Sequence, residues 1–188
     1  MLLQREYNRA RAVQYAQRWA LGQNPLYTNF KGIGGDCTNF VSQCILAGSC
    51  QMNPTPTYGW FYRSSNDRAP AWSSVEFLYD FLTGVPAFAE NNGGIGPYAS
   101  EMPLDYAELG DVIQLANDEG DYYHTLIISG FTEDDILVCA HTDDSLDRPL
   151  STYQYARLRM LHILGVRVNF PEDNCFEALY EGISIPEV

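Results

Sequence analysis

Residues 32–50 read GIGGDCTNFVSQCILAGSC, and this stretch decides the fold prediction. The Gly-Gly-Asp at residues 34–36 permits a tight turn and supplies a helix cap, so the sequence predicts a helix that begins at Cys37 and stops at Gly48. Its apolar residues recur at the spacing of one buried helical face: Cys37, Phe40, Val41, Cys44 and Ile45. A cysteine is therefore expected in the first turn of a packed helix.

The chain on either side of this stretch is predicted to contain two further helices. An apolar stripe predicts an N-terminal packing helix that ends at Gly22, and its members are Leu3, Tyr7, Ala10, Val13, Ala16 and Ala20. Residues 52–72 form an aromatic-rich irregular segment. Ser73 and Glu76 then form a capping box that opens a short helix, which closes near Gly84.

Short β-rich runs follow from residue 111 onward. They read DVIQLA (111–116), YYHTLIIS (122–129) and ILVCAH (136–141), and turn-forming residues separate them. This pattern predicts an antiparallel meander that residues 157–168 continue. We therefore expect an α+β fold in which N-terminal helices pack on an antiparallel β-sheet, with residues 1–188 forming a single domain.

Composition and charge limit the classes of partner. Of the 188 residues, 46% are hydrophobic and 19% are charged, which is typical of a folded domain. The net charge of −13 repels a phosphate backbone, so we expect no nucleic-acid partner. The short acidic clusters read as solvated turns, because they lack the regular spacing of a calcium loop. Apolar runs stay below the ~20 residues of a membrane span, so none is expected.

The five cysteines predict reduced thiols. Their number is odd and no C-x-x-C pair is present, so neither a disulfide framework nor a structural zinc site is expected. The charged N-terminal residues do not resemble a signal peptide. The expected location is the cytoplasm, or the cell wall or cell exterior if the chain is a processed or trimmed form.

Cys37 is the candidate nucleophile. At a helix start, unpaired N–H groups and the positive end of the macrodipole favour a thiolate and can also receive the oxyanion of a tetrahedral intermediate. The alternative is that Cys37 is a small buried residue, as Cys44 and Cys139 are expected to be. The Gly-Gly-Asp entry distinguishes Cys37 from those two cysteines and favours the functional interpretation.

A cysteine hydrolase also needs a base, and histidine suits this role near neutral pH. The chain has three histidines. His124 opens a β-rich run, His141 closes the next one, and His162 lies among apolar neighbours that indicate a sheet-face or core position. A two-residue turn at Thr132 and Glu133 would place His124 opposite His141, whereas a turn one residue later would place Asp143 opposite. Either could accept the second N–H of His124 and fix its tautomer.

These segments carry a family resemblance. The segments GGDCTNFVSQCILAG (34–48), YGWFYRSSNDRAPAWSSVEFL (58–78), GDVIQLANDEGDYYHTLIISG (110–130) and CAHTDDSLDRPLSTY (139–153) resemble the bacterial putative amidase domain family. That family is similar in pattern to papain-like cysteine hydrolases of the CHAP and cell-wall peptidase kind. The resemblance implies a papain-like fold, with Cys37 as nucleophile and His124 as base. It points to His141 as the third member, with Asp143 as the alternative.

The expected activity is amide hydrolysis through a thioester acyl-enzyme, with no metal and no cofactor. The resemblance implies a peptide or peptidoglycan-like substrate, such as a stem peptide. Candidate substrate-binding residues are Asp36, Asn39, Trp60 and Trp72, although Asn39 could bond local backbone and the tryptophans could instead cover the core. Two other functions fit the same fold: a non-catalytic recognition module, and an acyltransferase of the transglutaminase-like kind.

Overall fold

The structure is a computed structural model that describes residues 1–171 and 174–187. It is an α+β fold, as the sequence predicts. The helices are α1 (Arg9–Trp19), α2 (Cys37–Ser49), α3 (Pro70–Ser73), α4 (Val75–Thr83), α5 (Pro86–Ala89) and α6 (Phe176–Tyr180). The strands are β1 (Leu3–Arg5), β2 (Tyr62–Ser64), β3 (Asp67–Arg68), β4 (Gly96–Met102), β5 (Val112–Ala116), β6 (Tyr122–Phe131), β7 (Ile136–Ala140), β8 (Ser145–Pro149) and β9 (Arg157–Val168).

Seven strands form one antiparallel sheet in the order β1-β9-β5-β6-β7-β8, and β4 also pairs with β9. The predicted meander is therefore present as β5 to β8, and residues 157–168 continue the sheet as one strand. Strands β2 and β3 make a separate hairpin within the aromatic segment.

The sheet is buried on both faces. Successive residues of a strand point to opposite sides, so they pack in different apolar clusters. On β6, Ile127 packs in the larger apolar cluster with the helices, whereas Leu126 and Ile128 pack in a smaller cluster on the other face. Helix α2 lies at the centre of the larger cluster, and all of its residues are buried. Because α2 is packed on all sides, the backbone at its first residue, Cys37, is held in a fixed position.

The structure corrects two predicted helix starts. Residues 3–5 form strand β1 rather than helix, because they pair with the distant end of β9. Helix α1 begins only after Asn8, whose side chain accepts a hydrogen bond from the Arg11 N–H. Helix α4 is capped by Ser74 rather than Ser73, since the Ser74 hydroxyl accepts from the Phe77 N–H.

The prediction that the cysteines form no disulfide is wrong. Cys50 and Cys175 are joined by a disulfide across a sequence separation of 125 residues, while Cys37, Cys44 and Cys139 are free thiols. The bond ties the C-terminal segment with α6 to the end of α2. In the described part of the chain, no helix has the length and apolar character needed to cross a membrane.

Candidate active site

Cys37 and His124 line the same cavity, which has a volume of about 480 Å³. Cys37 is the first residue of α2, as predicted, and it is 7% exposed. Gly34 and Gly35 form the adjacent wall with φ angles of +97° and +101°, a left-handed conformation that glycine adopts without strain. The two glycines therefore turn the chain sharply into the helix and leave the sulfur beside open space.

Asp36, the residue before the cysteine, is fully buried. Its Oδ1 accepts hydrogen bonds from the Phe30 N–H at 2.9 Å and the Asn39 Nδ2 at 2.8 Å, and its Oδ2 lies 2.7 Å from His141 Nδ1. Asp36, which was predicted to bind substrate, thus has its carboxylate enclosed by protein donors. Although Asp36 occupies the N-cap position, its side chain makes no cap hydrogen bond to the first turn of α2 among the described residues.

His124 lies near the start of β6, where it pairs with Leu115. The register shifts between this pair and Ala116–Tyr122, so Tyr123 is the extra residue of a β-bulge, a feature that re-aims neighbouring side chains. The His124 side chain is 8% exposed and lies between the rings of Tyr123 and Tyr153, with centroid distances of 6.2 and 6.1 Å. Within the described residues, it does not hydrogen-bond to Cys37; such contacts are often long before substrate binds.

Burial lowers the pKa of His124 to about 4. The negative charge of Asp143 opposes this shift, and the positive charge of Arg148 adds to it. His124 is therefore neutral near pH 7, which is the form that can accept a proton from a thiol.

The predicted hydrogen bond between His141 and His124 is not formed. Phe131 pairs with Ile136 and Gly130 with Leu137, which is the register of the later of the two predicted turns, but the register shifts near Ser129 and does not continue toward His124. Strand β7 also ends at Ala140 before it reaches the level of His124. His141 instead directs Nδ1 to Asp36 and Nε2 to the Trp19 carbonyl oxygen at 2.8 Å, and its ring stacks on Phe40.

Asp143 lies at the cavity rim, and its side chain is 78% exposed. Its Oδ2 accepts a hydrogen bond from Arg148 Nη1 at 2.8 Å. Arg148 also donates from Nε to the Thr152 hydroxyl and lies 3.9 Å from the Tyr153 ring centroid. Asp143 therefore acts on His124 through its charge. No hydrogen bond joins the two side chains among the described residues.

Asn39, Trp60 and Trp72, which were predicted to contact substrate, are all fully buried. Trp72 Nε1 donates to Asn39 Oδ1, and Asn39 Nδ2 donates to the Thr28 carbonyl oxygen. Trp60 Nε1 donates to the Ser42 hydroxyl, which donates to the Trp72 carbonyl oxygen. These aromatic residues fill the core beside α2.

The walls of the cavity include residues that the sequence did not single out as site members. They are Gly34, Gly35, Tyr123, Thr142, Arg148, Thr152, Tyr153 and Gln154. Most of them come from the segment between β7 and β9, where strand β8 was not predicted. The sequence feature that could have indicated these residues is that residues 139–153 carry part of the family resemblance.

His162 lies in the sheet, as its apolar neighbours predict, and its Nδ1 is 2.7 Å from Asp111 Oδ2. Asp111 also accepts a hydrogen bond from Arg9. His162 does not line the cavity. Within residues 1–171 and 174–187, no cluster of three or more His, Cys, Asp or Glu side chains could hold a metal ion.

The fold and the cavity define an α+β protein in which a cysteine and a neutral histidine line one cavity. Residues 6–164 match the family described as "Putative amidase domain", and the chain belongs to this family. The description of the family supports amide hydrolysis as the class of reaction.

One curated relative is the uncharacterized protein YhbB of Bacillus subtilis (strain 168). The two are 41% identical over 84 residues, which cover 44% of this chain and 26% of YhbB. The chain thus matches about a quarter of that protein's length. No solved structure matches the chain.

Proposed function

We propose that the protein is a cysteine-dependent hydrolase of amide bonds, with Cys37 as nucleophile and His124 as general base. The observation that carries this proposal is that both side chains line one cavity, with the cysteine at the start of α2. The arrangement also supports a papain-like architecture, in which a cysteine-bearing helix faces a histidine-bearing sheet. We place the whole of residues 1–188 in one such domain.

The reaction begins when neutral His124 takes the Sγ proton of Cys37 and the sulfur attacks the amide carbonyl carbon. The carbonyl oxygen becomes an oxyanion, which accepts hydrogen bonds from first-turn N–H groups of α2. These donors are suited to the task because the Asp36 carboxylate is directed toward Phe30, Asn39 and His141 rather than toward them.

Collapse of the tetrahedral intermediate breaks the carbon–nitrogen bond, and the His124 imidazolium gives its proton to the leaving amine. The acyl group remains on Cys37 as a thioester. His124 then removes a proton from water as the water oxygen attacks the thioester carbonyl. The carbon–sulfur bond breaks, the acid product leaves, and the proton returns to Sγ.

The substrate is proposed to be a peptide amide, and stem peptides of peptidoglycan are the case that the family resemblance favours. The Cys50–Cys175 disulfide supports an oxidising compartment outside the cytoplasm, because such bonds seldom persist where thiols are kept reduced. This proposal replaces the expectation of a cytoplasmic protein with reduced thiols.

The test of the proposal combines thiol labelling with product analysis. We expect a low concentration of iodoacetamide to modify Cys37 before Cys44 and Cys139, because those two thiols are buried in the core and burial raises their pKa values. Labelling should abolish cleavage of a fluorogenic peptide-amide library. Equal labelling of the three thiols with no cleavage would favour a recognition module, and acyl transfer to an added amine in preference to water would favour an acyltransferase.

The pH dependence of hydrolysis should follow His124. Because the base must be neutral, kcat/KM should hold from neutrality down to about pH 5 and fall as the pH drops through about 4, well below the ordinary histidine value of 6.5. NMR titration of labelled histidine should give the same value for the pKa of His124.

Two rim variants provide opposite controls for this pH dependence. Arg148→Met removes a charge that lowers the pKa of His124, so the acid limb should move to higher pH. Asp143→Asn removes a charge that raises it, so the limb should move to lower pH. Shifts in the same direction for both variants would contradict the assignment of His124.

A further inference from the structure

Asp36 and His141 form a buried pair directly before the nucleophile. Their side chains are 0% and 2% exposed, and Oδ2 of Asp36 lies 2.7 Å from Nδ1 of His141. The other ring nitrogen, Nε2, lies 2.8 Å from the Trp19 carbonyl oxygen. The imidazole thus bridges the end of α1 and the residue that precedes α2.

Both nitrogens of His141 face acceptors, so the arrangement is satisfied when each nitrogen carries a proton. A carbonyl oxygen has no proton to donate. The Asp36 carboxylate also accepts from the Phe30 N–H and the Asn39 amide. The geometry therefore describes an imidazolium paired with a carboxylate.

The two helix ends favour this arrangement of charges, with the cation at the end of α1 and the anion at the start of α2. The Trp19 carbonyl is the last of α1, where the macrodipole is negative and attracts a cation. Asp36 precedes the first residue of α2, where the macrodipole is positive and attracts an anion. Stacking of the His141 ring on Phe40, with 4.0 Å between centroids, fixes the plane of the imidazolium.

This pair controls the backbone that carries the sulfur. The Asp36 N–H donates to the Thr142 hydroxyl at 2.8 Å, immediately after His141 in the chain. Asp36 is thereby held at both its backbone and its side chain, and Cys37 is the next residue. Rotation of Asp36 would displace Sγ relative to His124.

We propose that His141 and Asp36 are positioning residues for Cys37: their buried ion pair locks the turn into α2 and so sets the place of the sulfur in the cavity. This inference rests on the proposed function. In it, His141 positions the nucleophile Cys37 and does not orient His124. Neither residue needs to touch substrate for this role.

The test compares His141→Gln, Asp36→Asn and the double variant. Each single change should lower kcat by about 10²-fold with KM nearly unchanged, because a misplaced sulfur slows chemistry rather than binding. The double variant should lose no more than the worse single variant, since either change breaks the same pair. The rate constant for iodoacetamide modification of Cys37 should also change, and it can be measured even if no amide substrate is found.

His162→Gln is the matched control. It removes a histidine that lies at the same 2.7 Å from an aspartate, but that aspartate, Asp111, does not adjoin Cys37 in the chain, so the change should alter stability while leaving kcat and the Cys37 labelling rate unaltered. Equal losses of kcat in His141→Gln and His162→Gln would overturn the positioning role, as would wild-type kcat and labelling in a folded His141→Gln protein.

Thr142 provides a second approach if the buried substitutions prevent folding. Thr142 is exposed, and Thr142→Val removes the hydroxyl that accepts from the Asp36 N–H, so kcat and the labelling rate should change. Thr142→Ser keeps the hydroxyl and should bring the Cys37 labelling rate back toward the wild-type value. Identical results for Val and Ser would overturn the inference. If wild-type protein cleaves no amide, the proposed function fails, whereas the labelling comparison still decides the positioning role.

Discussion

Alanine in place of Cys37 should reduce amide hydrolysis by a factor on the order of 10⁵, because in the proposed mechanism the sulfur forms the covalent bond to the acyl group. The fold should remain intact, since the described polar contact of Sγ is a 3.8 Å approach to the Thr38 hydroxyl at a cavity wall. The measurement is kcat/KM on a peptide amide, with circular dichroism and a thermal melt to verify folding.

Cys44→Ala is the control for this result. Cys44 belongs to the same helix but is fully buried in the core, so its truncation should lower stability while preserving turnover. A Cys37→Ala protein that still hydrolyses amides would refute the assignment of the nucleophile. Trapping of a thioester on the wild-type protein by mass spectrometry would support it independently.

Removal of the Cys50–Cys175 disulfide should lower the free energy of unfolding by about 2–5 kcal/mol. The expected loss is large because the bond closes a loop across a sequence separation of 125 residues and restricts the unfolded chain. The comparison is urea unfolding of wild-type protein with and without a reductant, and of the Cys50→Ser/Cys175→Ser double variant.

The reductant should have no effect on the double variant, which separates disulfide reduction from other actions of the reagent. Contacts of α6 should be lost first, and among them is the hydrogen bond that Trp19 Nε1 donates to the Tyr180 carbonyl oxygen. Coincident unfolding curves for oxidised and reduced wild-type protein would contradict the expectation.

Local patterns predicted the elements that carry the two central site residues. Helix α2 follows from its apolar spacing and the Gly-Gly-Asp turn, and β6 follows from a β-rich run between turn signals. Cys37 is the first residue of α2, and His124 lies near the start of β6. Their placement on one cavity depended on the family resemblance and not on periodicity.

The partners of those residues depended on long-range packing. The later of the two predicted turn registers is present where β6 and β7 meet at the hairpin, but a bulge near Ser129 shifts the pairing, so the register could not be extended to His124 and His141. Strand β1 forms only because β9 offers an edge, and Cys50 finds Cys175 only in the folded chain. Trp60 and Trp72 could equally have lined a groove, and only burial decides.

Cys37 belongs to α2, a helix whose residues are all buried. The opposite walls of the cavity come from exposed residues such as Tyr123 and Gln154. In the proposed mechanism, the nucleophile and the exposed wall residues are thus carried by different parts of the polypeptide. Substitution of exposed wall residues such as Gln154, with Thr142, Asp143 and Arg148 retained, should change which amides are accepted without disturbing the reacting atoms.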